Sequence, residues 1–460
     1  MSIEPIQFDE LLSNREPATI ANLPDGYRAY VLAGLATSAA QDGRKGLVHI
    51  ASDGQELSMI QSGLSFFAPW LETVHLPAWD CLAYDRVSPS AEITAQRIAA
   101  FTAIANVPGD ADKPFLVLTT ANALVQRNVP LLDLATQAVD LVPGKQIDMD
   151  ELVRWLSGNA FERTSTVREH GEYAVRGGIL DLFAPQAKVP VRLDFFGDTL
   201  ESIRSFDPAS QRTVGQLKSL SLAPMSEINL DAAAVSRFRS RYVEMFGAAT
   251  REDALYQAIS EQRRFAGMEH WLPLFHDRLE TFFDIFEGFQ FSVDYRVNDA
   301  VSSRYEQITE HYEARREAMH DALGAGTPYK PVEPQSAYLD PDEIAENLGQ
   351  RHAIELSPFL PPETSARQVI DLEGQKGHSF AAERASGANV FDAVVAHIDQ
   401  QTSKDRKIII ASWTEGARDR MAQTLGEHGL KKHRLVNNFA ALESIAPGEV
   451  GIAILPVEEG

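Results

Sequence analysis

The chain has 460 residues, 44 % hydrophobic and 23 % charged, so it holds enough apolar side chains for several cores and is no disordered tail. Its formal net charge is −23, with no run of basic residues, which argues against autonomous binding to a phosphate backbone. A single cysteine, Cys81, excludes an intrachain disulfide and fits a reducing cytoplasm; the acidic start lacks a signal-peptide pattern, and no apolar stretch approaches the roughly 20 residues that span a bilayer.

The length predicts roughly three domains. Strand-like and helix-like segments alternate over residues 1–130. The apolar run Val31–Leu35 reads as a first strand. Gly46–Ser52 reads as a second, followed by Asp53 as an N-cap and a helix through Phe67. Phe115–Thr120 repeats the theme, and the alternation predicts a parallel sheet covered by helices. The texture changes near Pro143. Asp148 and Glu151 have capping-box spacing ahead of "LVRWL", which predicts a helix start.

From Thr164 to about Leu222 the pattern is rich in strands, as in an inserted β module. Gly171–Phe183 reads as a strand whose phase Gly177-Gly178 could shift through a bulge. In Val189–Ile203, Val189, Val191, Leu193 and Phe195 share one face, while Arg192, Asp194 and Phe196 share the other. Gly197-Asp198 is a two-residue hairpin turn. Helical texture returns over Asp231–Arg264 and Arg304–Leu323. "SPFLPPETS" (357–365) reads as a linker, and a helix, a buried strand and a helix follow, as in a second small α/β domain. The sequence stops just behind the strand-like "GIAIL", which suggests one part of a longer protein.

A phosphate-binding loop needs G-x4-G-K-[ST], so that backbone amides and a lysine surround the phosphates. After Val31–Leu35 the chain offers Gly34, Thr37 and Ser38 but no lysine before a hydroxyl; "PGKQ" and "GQKGH" fail in the same way. His270 and His276 are six apart, the wrong spacing for a helical zinc pair, so no metal site is read. Cys81, beside Trp79 and Leu82, reads as a small buried hydrophobe rather than a nucleophile. Asp181, Asp194 and Asp198 read as solvated strand or turn residues, not an acid–base pair. The odd feature is Phe196, an aromatic on the polar face in phase with Arg192. Interface centres favour aromatics and arginines, so this pair suggests either a binding patch or cover by another element.

Here the sequence resembles a known family. "GEYAVRGGILDLFAP" and "VRLDFFGDTLESIRSFDPASQRT" are similar to the second domain shared by the excision-repair protein UvrB and the transcription-repair coupling factors. "LPAWDCLAYDRVSPSAEITAQRIA", "ANALVQRNVP" and "GMEHWLPLF" resemble the coupling factors more closely. The resemblance implies an α/β fold: a degenerate helicase-like parallel-sheet domain over 1–140 and 224–357, split by a β-rich docking domain over 141–223. A linker over 358–368 and a small α/β domain over 369–460 would follow. It implies recruitment of the damage-recognition ATPase UvrA in transcription-coupled excision repair, through Arg176, Arg192 and Phe196, with Arg176 resting most on the family. It implies no catalytic, cofactor or metal residue in this region. The ATP- and magnesium-dependent DNA translocase, and the contacts with RNA polymerase and DNA, would lie beyond Gly460. The alternatives are a UvrB-like damage-loading protein, which would need a working phosphate loop, and an unrelated α/β enzyme using Cys81 or the aspartates.

Overall fold

The computed structural model describes residues 8, 11–12, 16–109, 113–321, 329–362, 367–404 and 406–457. The end of the predicted linker motif (363–365) and the end of the predicted helical texture (322–323) lie outside the described residues. In chain order the first strands are β1 (Ala18–Ala21), β2 (Leu47–Ala51), β3 (Glu72–His75) and β4 (Phe115–Thr120). The middle of the chain adds β5 (Val139–Leu141), β6 (Glu162–Arg163), β7 (Glu172–Arg176), β8 (Ile179–Leu182), β9 (Val191–Phe196), β10 (Thr199–Phe206), β11 (Thr213–Leu217) and β12 (Leu220–Leu222). The remainder are β13 (Gln290–Asp294), β14 (Ile354–Leu356), β15 (Gln368–Asp371), β16 (Ile409–Ser412), β17 (His433–Val436) and β18 (Val450–Ile454). The helices used below are α1 (Arg28–Gln41), α2 (Gly54–Phe67), α3 (Ala91–Ala105) and α4 (Met149–Gly158).

A seven-stranded parallel sheet runs β15-β1-β14-β13-β2-β4-β3. Helices cover both faces, which is why β2 and β4 are near-continuous apolar runs instead of alternating ones. One face buries Val48, Ile50, Val117 and Phe291 against Ile98 and Phe101 of α3. The other buries Ile20, Leu47, Leu116 and Leu356 against α1 and α2. Asp53 caps α2 as its position predicts, accepting from the Glu56 amide.

One expected strand is overturned. Val31–Leu35 lies inside α1, whose residues 31–36 are all buried, and the first strand is instead Ala18–Ala21. A short apolar run does not by itself distinguish a strand from a buried helix. In addition, β15 pairs in register with β1 along Ala18–Ala21, so residues 368–371 extend the large sheet before the chain enters its last domain.

The inserted module is a separate six-stranded sheet, ordered β11-β10-β9-β8-β7-β6, antiparallel except for the β6–β7 pair. Asp148 caps α4, which seats Leu152 and Leu156 on Tyr173, Leu180, Leu193 and Ile203 of the sheet's inner face. The incoming β5 and outgoing β12 pair with each other, so both chain crossings sit side by side. The last domain is a three-stranded parallel sheet, β16-β18-β17. It packs on α2 through Phe439, whose ring lies 5.1 Å from that of Phe67.

Candidate functional site

Two tight hairpins build the module's outer face. Gly177-Gly178 is a two-residue turn between β7 and β8 rather than a bulge within one strand. Gly177 adopts φ +61°, and a Cβ on Gly178 would lie 2.8 Å from the Phe195 carbonyl oxygen, so both glycines are required. The second turn is Gly197-Asp198, with Gly197 at φ +57° in its first central position. Arg176 immediately precedes the first turn and Phe196 the second, which places both at the tips of their hairpins.

Strand alternation holds in β9. Val191 and Leu193 are buried, and Phe195 packs partly into the module core. Phe196 points the other way and is 78 % exposed, the most exposed large hydrophobic residue among those described. On its face β9 also carries Arg192 and Asp194, β8 carries Ile179 and Asp181, and β10 carries Ser202 and Arg204. Cross-strand register sets Asp181 opposite Arg192 and Ile179 opposite Asp194.

Charges on this face pair in bidentate fashion. Arg192 donates from Nε and Nη2 to the two carboxylate oxygens of Asp181, at 2.6 and 2.8 Å. Its guanidinium also lies over the Phe206 ring, 4.9 Å from the centroid. The Asp181 hydrogen bonds hold the Arg192 pKa above the usual arginine value. Arg204 likewise clasps Asp194, at 2.8 and 2.6 Å. Burial pushes the Asp194 carboxyl up, but hydrogen bonds from Arg204 and Ser202 outweigh it and hold the group below the ordinary range. Arg176 is the loosest cation: its side chain is half exposed, bonded to the Ser165 carbonyl and Thr166 hydroxyl, and 3.9 Å from Asp181.

Arg176, Arg192 and Phe196 therefore share one face, with Arg192 the most enclosed of the three. Asp181 departs from its expected solvated setting: it is 1 % exposed and already paired. Arg204 is a further arginine that the pattern did not single out, although its alternation with Ser202 and Phe206 along "TLESIRSF" was the available signal.

The other candidates are placed as follows. The segment between β1 and α1 is "NLPDGY", also without a lysine. At the carboxyl ends of β2 and β13, where open α/β sheets bind ligands, the space is taken by side chains of the chain itself. Arg28 of α1 donates to Glu56 and to Asp294, and Arg296 joins both carboxylates. Burial pushes the Glu56 carboxyl up to about 7 against the pull of Arg28. Cys81 Sγ lies 4.0 Å from His270 Nε2, but burial and nearby Asp80 and Glu269 push the thiol up to about 12, so it stays protonated. His276 donates to the Glu227 carbonyl and plays a packing part. No group of metal-ligating side chains forms among the described residues. No described helix is long and apolar enough to cross a membrane.

Residues 139–228, which contain this whole face, match the UvrB interaction domain family. The chain is also 26 % identical over 422 residues to the transcription-repair-coupling factor of Rickettsia bellii, covering 92 % of this chain and 36 % of that protein. The chain is similar to the transcription-repair-coupling factors over most of its length. The Escherichia coli factor is 28 % identical over 85 % of this chain and 32 % of its own length. The Haemophilus influenzae factor is 33 % identical over 59 % of this chain and 23 % of its own length. The matched parts thus span about a quarter to a third of these coupling factors, and the similarity is consistent with their N-terminal region.

Proposed function

We propose that this region serves transcription-coupled nucleotide excision repair by docking the damage-recognition ATPase UvrA on the outer face of the inserted module. The observation that carries the reading is the exposed ring of Phe196 on the same sheet face as Arg192 and Arg176, within the residues that match the UvrB interaction domain. An aromatic anchor among arginines is the composition of an interface hot spot. The module recruits, and no step of chemistry is assigned to its residues. The ATP-driven DNA motor and the RNA-polymerase and DNA contacts of a whole coupling factor are proposed to belong to other parts of such a protein, acting in the cytoplasm. Titration calorimetry of the 460-residue chain against purified UvrA tests the docking. Saturable binding that weakens in Phe196→Ala supports it; absence of heat and of co-elution on gel filtration at micromolar concentrations refutes it.

A further inference from the structure

Resting on that docking reading, we propose that Asp181 is a positioning residue: it presets the Arg192 guanidinium as a fixed donor for a carboxylate on the partner. Asp181 is the one deeply buried charge of the outer face, at 1 % exposure, while the Arg192 side chain retains 17 %. It sits on β8, directly opposite Arg192 in the ladder, so backbone register holds the pair together.

The geometry decides what Arg192 can still do. A guanidinium has five N–H donors in one plane. Asp181 takes the side edge, formed by Nε and Nη2. The fully buried Phe206 ring lies under the guanidinium carbon, with the ring centroid 4.9 Å away. The end edge, with Nη1 and the second Nη2 proton, is left unspent by these contacts and is itself a two-pronged donor matched to a second carboxylate. Around Arg192 the same face carries two more arginines, Arg176 and Arg204, against the carboxylates of Asp181 and Asp194, with Glu172 further along it on β7. The partner chemistry that fits is an acidic surface with an apolar recess: carboxylates for Arg192 and Arg176, and a slot for the Phe196 ring. Fixing Arg192 before contact removes the rotamer entropy that a free arginine loses on binding.

The test is a double-mutant cycle read as UvrA affinity in the 460-residue chain. Asp181→Asn should weaken binding about tenfold in the wild-type background and less than about twofold in an Arg192→Ala background, because the aspartate acts through the arginine. Equal losses in both backgrounds, or no loss in the first, overturn the inference. Phe196→Ala is run alongside. If it weakens binding while Asp181→Asn does not, only the role of Asp181 falls; if neither weakens it, the docking reading falls as well. A second measurement needs no variant that must fold. In the unmodified chain, labelled with 15N-arginine, the Arg192 Nη protons should give resolved signals from hindered rotation. Averaged signals like those of a free arginine overturn the proposal.

Discussion

Arg97 and Glu227 meet at 2.6 Å inside the body of the protein, although 130 residues and the whole β module separate them in the chain. Glu227 also accepts from Trp79 Nε1, and Arg264 binds the Ser226 hydroxyl and the Ile228 carbonyl on either side of it. Arg97 further reaches Gln126, Asn128 and the Pro77 carbonyl. The point where the chain leaves the module is therefore clamped to α3, which fixes how the module is carried by the body.

Removing one partner of a buried ion pair leaves the other charge unsatisfied, at a cost of about 3–5 kcal/mol. Arg97 and Glu227 are 1 % and 3 % exposed, so Arg97→Ala should lower stability by that amount in urea denaturation. UvrA affinity, measured where the variant is still folded, should stay within about twofold of wild type, because the outer face of the module does not touch this pair. A stability change under about 0.5 kcal/mol would show that the clamp contributes little.

Phe195 and Phe196 are adjacent and should respond oppositely. Phe196→Ala removes an exposed ring, so the melting temperature should hardly move. As an interface anchor it should still cost about 2 kcal/mol of binding, near 30-fold in affinity. Phe195 packs partly into the module core, so its truncation should cost about 2 kcal/mol of stability and affect UvrA only through unfolding. Thermal melts paired with calorimetry check both. Melting of Phe196→Ala well below Phe195→Ala would contradict the observed strand phase.

Acid should loosen the body through buried histidines. His49 is fully buried on β2 beside Ser292, and burial lowers its pKa from 6.5 to about 3; burial likewise lowers His270 to about 4. A neutral buried histidine binds fewer protons than its unfolded counterpart. The stability it contributes is thus present above pH 6.5 and is lost as pH falls toward the folded value. From pH 7 to 5 His49 alone should account for about 2 kcal/mol. Glu56, raised to about 7, works with the opposite sign as pH rises, so the comparison must be with a variant. His49→Gln, which can still bond Ser292, should flatten the pH 5–7 slope of unfolding free energy by that amount. An unchanged slope would mean that His49 is not held neutral.

The sequence made the module legible because its signals are local. Gly197-Asp198, the period-two pattern of β9 and the caps at Asp53 and Asp148 each depend on a few neighbouring residues, and the structure places all of them as expected. Signals that depend on distant partners were hidden. Val31–Leu35 passes for a strand until the sheet it covers is known. Gly177-Gly178 reads as a possible bulge until Arg176 is seen paired with Ile179 across the turn. Asp181 looks like a solvated aspartate because nothing local reveals that β9 brings Arg192 over it. The Arg28, Glu56 and Asp294 cluster joins three segments separated by up to 266 residues, and no spacing rule finds it.

That cluster yields the last prediction. Arg28, Glu56 and Asp294 fill the strand ends where a phosphate loop would need open space, and the preceding segment supplies no lysine. The 460-residue chain should therefore release no phosphate from ATP above a buffer blank, with or without DNA; turnover that survives further purification contradicts this. The cluster should act as structure instead. Arg28→Ala leaves two buried carboxylates with only the partly exposed Arg296 between them and should cost about 3–5 kcal/mol. Replacing the charges together with apolar residues of similar size, as in Arg28→Met with Glu56→Met and Asp294→Leu, should recover most of that loss, since a buried ion cluster and a well-packed apolar one are often close in stability. Urea denaturation of both variants decides the matter. If the triple variant is the less stable of the two, the ions contribute more than their own desolvation cost, and Arg296 and Ser52, which also bond these carboxylates, become the groups to vary next.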